Sequence, residues 1–183
     1  MKTRIFILLG LITIIFSSCN ISSSNNNTPE ILFVSKPFVI NSDTLNRYYT
    51  GESGVYLLDT IHVGDTIIFR MLFNGFSNNL STLKILQSDT SSTKIIFPSS
   101  YSLDSIFSAA SSDFSNGNFL FKNKITSLYF PFKYIAKKAN NDAKVTFYIS
   151  SDANFSDMSS MGNNSVSFVL KTPIKIPKPK PVL

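Results

Sequence analysis

The chain has 183 residues, 43% of them hydrophobic and 15% charged, with a formal net charge of +6. That apolar share can build a core, so a wholly disordered chain is excluded, and the length suits one domain plus a processed end. Lys2 and Arg4 fall in a segment read as removed, the remainder is only mildly basic, and no Lys/Arg run interleaves with aromatics, so no nucleic-acid partner is expected.

Residues 1–4 carry two positive charges, and residues 5–16 form an apolar run broken only by Gly10 and Thr13. Ser17, Ser18 and Cys19 follow, and Cys19 is the chain's only cysteine. A basic start, a short apolar run and small residues make a secretory signal, and the run is too short for a spanning helix, which needs about 20 apolar residues.

The stretch Phe16-Ser17-Ser18-Cys19 resembles the lipobox of bacterial lipoproteins, where small residues precede a cysteine that is diacylated before cleavage on its N-terminal side. Phe16 departs from the usual Leu. The resemblance implies a signal peptide at 1–18 and a lipidated Cys19. It places the protein in the bacterial cell envelope, at the outer membrane, with the membrane as partner and the periplasmic or surface face left open. Two acyl chains hold a protein stably where one does not. Residues 19–29 then form the lipidated cysteine and a polar tether with no apolar period.

From Ile31 onward, short strand-like runs alternate with turn residues. Residues 31–40 are apolar but interrupted by Pro37, which suits an edge strand. Residues 55–63 follow Gly54 and precede a Gly64-Asp65 turn. Along 66–73, Ile67, Phe69, Met71 and Phe73 share one face, while Ile68, Arg70 and Leu72 share the other. Residues 80–86 and 94–97 are further candidates. Leu128, Phe130, Phe132 and Tyr134 alternate with Tyr129, Pro131 and Lys133. Val145, Phe147 and Ile149 alternate with Thr146 and Tyr148. Val166, Phe168 and Leu170 alternate with Ser165, Ser167 and Val169. A period of two with one apolar face marks half-buried strands.

One segment follows another period. Leu103, Ile106, Phe107 and Ala110 have helical spacing, with Ser102 at the N-cap position and Asp104 in the first turn. The predicted fold is therefore all-β: an antiparallel β-sandwich over 30–172 with one short helix. Residues 130–154 look like the late strands of immunoglobulin-like modules in bacterial surface proteins, which supports an immunoglobulin-like sandwich and says little about activity. Residues 173–183 read as a Pro/Lys-rich tail whose prolines prevent ladder pairing.

Catalytic groups are sparse in the sequence. His62, the only histidine, reads as a strand-surface residue. No Gly-x-Ser-x-Gly elbow, Cys pair or Gly-rich phosphate loop occurs. Asp152, Asn154 and Asp157 have spacing that oxygen-bound calcium uses, without the Glu and Gly of a complete loop; an Asx-rich turn is the simpler reading. The connection after residue 150 is long and carries Phe155, Met158 and Met161, a candidate binding loop or an end plug. Tyr48, Tyr49 and Tyr101 are ring platforms for a glycan partner. The triplets opening at Asp43, Asp59, Asp65 and Asp104 resemble the Asp-Ser/Thr-apolar sites of a bacterial O-glycosylation system, which implies acceptors at Thr44, Thr60, Thr66 and Ser105. The expectation is a non-enzymatic envelope lipoprotein, without cofactor or metal, whose domain binds an envelope protein or serves as scaffold. A glycan-binding lipoprotein or an envelope hydrolase using aspartates or a Ser–His62 pair is the alternative.

Overall fold

A computed structural model describes residues 26–122, 124–156 and 162–177, apart from the side chains of Ser100 and Tyr101. Alternation of large apolar residues sets the strands. In β6 (Thr66–Asn74), Ile67, Phe69, Met71 and Phe73 are all buried, and in β10 (Ser127–Ala136) Leu128, Phe130, Phe132 and Tyr134 are buried opposite them. These two strands pair antiparallel along nearly their whole length. The remaining elements are β1 (Glu30–Phe33), β2 (Phe38–Val39), β3 (Arg47–Tyr49), β4 (Val55–Leu58), β5 (Ile61–His62), β7 (Leu80–Gln87), β8 (Thr93–Ile96), α1 (Ser100–Asp104), β9 (Asn118–Leu120), β11 (Lys144–Ser151), β12 (Ser165–Lys171) and β13 (Ile174–Lys175).

One sheet runs β1-β6-β10-β8, with β2 continuing beside β6; the second runs β3-β4-β12-β11-β7-β9. Strands β6 and β7 lie in opposite sheets, as do β10 and β11, so the chain crosses the sandwich at each of those turns. With β1, β6, β10 and β8 on one side and β7, β11 and β12 on the other, this is the strand arrangement of an immunoglobulin-like sandwich. The pairing of β4 with β12 is parallel, so the second sheet is mixed rather than purely antiparallel, and β5 and β13 form a separate parallel two-stranded sheet.

Phenylalanine fills the space between the sheets. Phe69 stacks on Phe132 in the first sheet at 5.0 Å, and Phe147 stacks on Phe168 in the second at 4.7 Å. Phe147 also meets Phe69 and Phe132 across the gap, at 6.3 and 6.1 Å. A second cluster joins Phe97, Phe107, Phe119, Phe121 and Phe130 beneath the α1–β9 segment. The high Phe content is thus two adjoining clusters of tilted and edge-on rings, a geometry that adds to plain area burial.

Two expectations are corrected locally. The helix is shorter and earlier than its spacing predicts: Ser99, not Ser102, is the N-cap, and α1 ends at Asp104. Beyond it the chain pairs instead, with Ser108 N donating to Leu120 O and Lys122 N to Ile106 O, each near 3 Å. Leu103 and Phe107 are buried as the spacing requires, but tertiary pairing overrides the helix and leaves Ala110 exposed. The prolines near the C-terminus also do not prevent pairing: β13 lies beside β5, and Ile174 is buried. Pro173 O accepts from Ile61 N at 3.0 Å and Lys175 O from Val63 N at 2.9 Å, bonds that need no N–H from proline.

Candidate binding surfaces

The outward positions of the first sheet form continuous rows. Leu32, Leu72 and Tyr129 are in register across β1, β6 and β10; Phe38, Ile68, Lys133 and Ile96 form another row across β2, β6, β10 and β8. Between them lie Arg70 and Pro131, and below them Thr66, Ile135 and Lys94. Leu32, Tyr129 and Ile96 are exposed. Arg70 lies over the Phe38 ring at 5.2 Å, spreading its cation on an apolar floor. An open groove of about 520 Å³ runs here, walled by Ile68, Arg70, Tyr129, Pro131 and Lys133.

Pro131 has a structural reason to sit mid-strand. Val34 N donates to Arg70 O, so the peptide groups of Arg70 face β1. Its partner pair with Pro131 is therefore a non-hydrogen-bonded one. The N–H that Pro131 lacks would point to the far side of β10. There β8 pairs only with Lys133–Ala136, leaving the edge beside Pro131 open. Pro131 thus blunts an exposed edge against strand addition.

A second groove, about 720 Å³, lies between the β1–β2 connection and β3. Arg47 closes its inner end: its guanidinium lies 4.4 Å from the Phe33 ring and 4.8 Å from Tyr56. Tyr48 and Tyr49 are both exposed in β3 but, as strand neighbours, point to opposite sides and do not make one platform. Tyr49 instead tilts against Tyr56 at 5.9 Å.

The end of the sandwich where the chain enters is tied by amides. Asn26 Oδ1 accepts from Asn78 Nδ2 at 3.1 Å and Asn154 N at 3.2 Å, and Asn26 Nδ2 donates to Asn154 O. Asn27 N donates to Asn78 Oδ1, and Asn163 N to Thr28 Oγ1, both at 3.0 Å. The last residues of the expected tether are thus fixed to the domain. Asp152 clasps the same end: its two carboxylate oxygens accept from Asn79 N at 2.7 Å and Asn79 Nδ2 at 2.8 Å. Asp152 and Asn154 are therefore engaged as turn ligands, and Asp157 lies outside the described residues. Among the described residues no three His, Cys, Asp or Glu groups gather in metal-binding geometry.

Of the predicted loop, Phe155 is half-buried and packs against Gly162, where a Cβ would meet its ring at 2.3 Å. Phe155 folds back on the far side of its own loop. Met158 and Met161 lie outside the described residues, as does Cys19. Thr44, Thr60 and Ser105 are exposed, and Thr66, the first residue of β6, is half-buried. Two of the preceding aspartates have structural duties that account for the recurring triplet. Asp59 accepts from Asn46 N at 2.6 Å, and Asp65 accepts from His62 N at 2.7 Å. His62 is exposed, with Nδ1 3.9 Å from the Asp65 carboxylate.

Among the described residues, two carboxylates depart from their ordinary range, both downward. Asp89 accepts from the Ser91 hydroxyl at 2.6 Å, the Ser92 hydroxyl and Ser91 N, and these bonds hold its carboxyl far below normal. It also accepts from Asn140 Nδ2 at 3.0 Å, linking the β7–β8 turn to the β10–β11 connection. Asp113 is lowered by the Ser115 hydroxyl and the Asn116 amide. Burial pushes Tyr134 up, and its hydroxyl pairs with Thr172 Oγ1 at 2.8 Å.

No family model matches this chain, and no curated protein matches it. Among solved structures it is similar to domains 4 and 5 of the S-layer protein SbsC, at 10% identity over 75% of this chain, with a TM-score of 0.31. The chain spans about half the length of that structure, 54%.

Proposed function

We propose that this chain is an envelope lipoprotein, anchored through lipid on Cys19, whose immunoglobulin-like sandwich is a non-catalytic binding or scaffold module at the outer membrane. The observation that carries the reading is the order of residues 1–19: basic start, short apolar run, two serines, cysteine. The domain end adds support. Asn26–Thr28 are hydrogen-bonded to the loops at one pole, so an anchor at Cys19 would hold that pole toward the bilayer. The non-catalytic part of the reading draws on the carboxylates. Asp65, Asp89 and Asp113 accept bonds that shape turns, Asp59 and Asp152 accept bonds that tie distant segments, and the two shifted ones favour the charged form rather than a proton donor.

The test is fractionation of cells expressing the full chain and its Cys19→Ala variant, with a radiolabelled fatty acid in the medium. The wild-type chain should sediment with membranes and carry label. The variant should lose the label and leave the outer-membrane fraction. Unlabelled wild-type protein, or a variant retained there as firmly as wild type, overturns the proposal.

A further inference from the structure

We infer that the chain-entry pole of the sandwich sits in the bilayer interface, with Phe76 as its inserted tip and Leu32 and Tyr129 beside it. The inference rests on the lipid anchor proposed for Cys19 and adds an orientation and a docking surface to it.

Chain length supplies the first argument. Seven steps separate Cys19 from Asn26, and at roughly 3.3–3.6 Å per residue they span at most about 25 Å. Asn26 and Asn27 are bonded directly to Asn78, which lies in the β6–β7 turn. That turn, two residues from its tip at Phe76, is therefore held within a few nanometres of the lipid.

Backbone strain supplies the second. Phe76 has φ +57°, the left-handed region where Gly or Asn is expected and a bulky residue is an outlier. A strained aromatic is normally retained because its ring fills the core. This ring does not: Phe76 is 42% exposed. The fold bears the strain while a large part of the ring stays in water, a cost that packing within the fold does not account for. Its N–H is bound by Asn74 Oδ1 at 3.0 Å, which fixes the tip geometry.

Surroundings supply the third. Asn74 ends β6, and the next outward row below its register is Leu32, Leu72 and Tyr129, with Leu32 and Tyr129 exposed by 43% and 50%. Aromatic and aliphatic side chains of this kind partition into the headgroup–acyl boundary, and tyrosine favours that depth. The charges here do not draw anionic lipid: Glu30 lies at this corner, Asp152 accepts from Asn79 at the same end, and Lys124 is exposed beside Ile125, whose carbonyl bonds Leu80 N. Apolar insertion, not attraction to anionic lipid, is the driving contact.

The chain contains no tryptophan, so one introduced residue reports alone. The full-length lipidated protein, carrying Phe76→Trp, Tyr129→Trp or Leu86→Trp, is reconstituted into phosphatidylcholine vesicles with brominated acyl chains. Leu86 faces outward from the other sheet and serves as reference. The Phe76→Trp reporter should emit at shorter wavelength and lose most of its intensity to bromine, Tyr129→Trp should lose part, and Leu86→Trp should lose none. Equal, solvent-like emission from all three in protein that floats with the vesicles overturns the inference and leaves the anchor standing. Protein that does not float removes both. Phe76→Gly, which relieves the strain, should keep the fold and abolish the quenching of a Tyr129→Trp reporter in the same chain; undiminished quenching would also count against Phe76 as the tip.

Discussion

The two outer faces of this sandwich are built on the same inner pattern and differ sharply outside. Across β7, β11 and β12, the outward rows read Thr82–Ser150–Ser165 and Lys84–Tyr148–Ser167, with Lys144 opposite Lys171 at the end. These rows present hydroxyls or ammonium groups to water, while the row between them, Leu86–Thr146–Val169, is apolar at two of its three positions. Across β1, β6 and β10, the matching row reads Leu32–Leu72–Tyr129, and the row through β2 and β8 offers one cation among Phe38, Ile68 and Ile96. A half-buried antiparallel sheet needs only one apolar face. The second sheet keeps two of these three central rows polar, whereas the first sheet carries apolar residues in both of its rows. Contiguous exposed apolar rows of this sort mark contact surfaces on folded domains.

The layer shared by both faces should respond most to change. Phe147 touches Phe33, Phe69, Phe132 and Phe168, which belong to both sheets. Phe147→Ala removes the ring that joins the two stacks and should cost about 3–5 kcal/mol of unfolding free energy. Chemical denaturation monitored by circular dichroism measures it. A loss below about 1.5 kcal/mol, the range of volume-conserving swaps, would mean the sheets are held by something other than this stack.

The inner layer was also the most legible part of the sequence. Period-two alternation marks β6, β10, β11 and β12, and every inward residue expected there is buried or half-buried. The short elements were not legible. β3, β9 and β13 have two or three residues each, exist by pairing with longer neighbours, and have too few positions to display a period. Gly117 illustrates the point: it adopts φ +69°, and a Cβ there would meet Ile85 O at 2.1 Å, so β9 approaches β7 through a contact invisible to periodicity. The outer rows were half legible. Ile68, Arg70 and Leu72 could be assigned to one side of a strand, but their alignment with Tyr129 and Phe38 depends on which strands are neighbours. The strain at Phe76 is a backbone angle and leaves no trace in composition.

The clasps between the sheets should respond next. Asp89 joins the β7–β8 turn to Asn140, so it ties the ends of the two sheets together. Its carboxyl is held low by the Ser91 and Ser92 hydroxyls. A lowered folded-state value means the charged form is preferred in the fold. The contribution is therefore complete above the unfolded value, 3.8, and is lost as pH falls below it. Stability should fall between about pH 5 and pH 2, and fall less steeply in Asp89→Asn. Asp113, lowered by Ser115 and Asn116, adds a slope of the same sign. Denaturant midpoints measured across that range test this, and parallel profiles for wild type and Asp89→Asn would refute it.

The outer faces themselves should matter least to stability and most to contact. Leu72→Lys with Tyr129→Lys places two charges in the apolar row, where the side chains already meet water. Thr82→Lys with Thr146→Lys does the same to the polar sheet. Substitutions at such sites typically shift stability by no more than about 0.5 kcal/mol each. Both pairs should keep the fold, and their thermal transitions should nearly coincide. Binding of a hydrophobic dye separates them. The Leu72/Tyr129 pair should bind markedly less than wild type, while the Thr82/Thr146 pair should bind as wild type does. Equal loss in both pairs would mean the dye reads charge rather than an apolar surface. No loss in either would mean that Phe38, Ile68 and Ile96 suffice without the row, which would move the contact surface toward the groove beside Pro131 and away from the chain-entry pole.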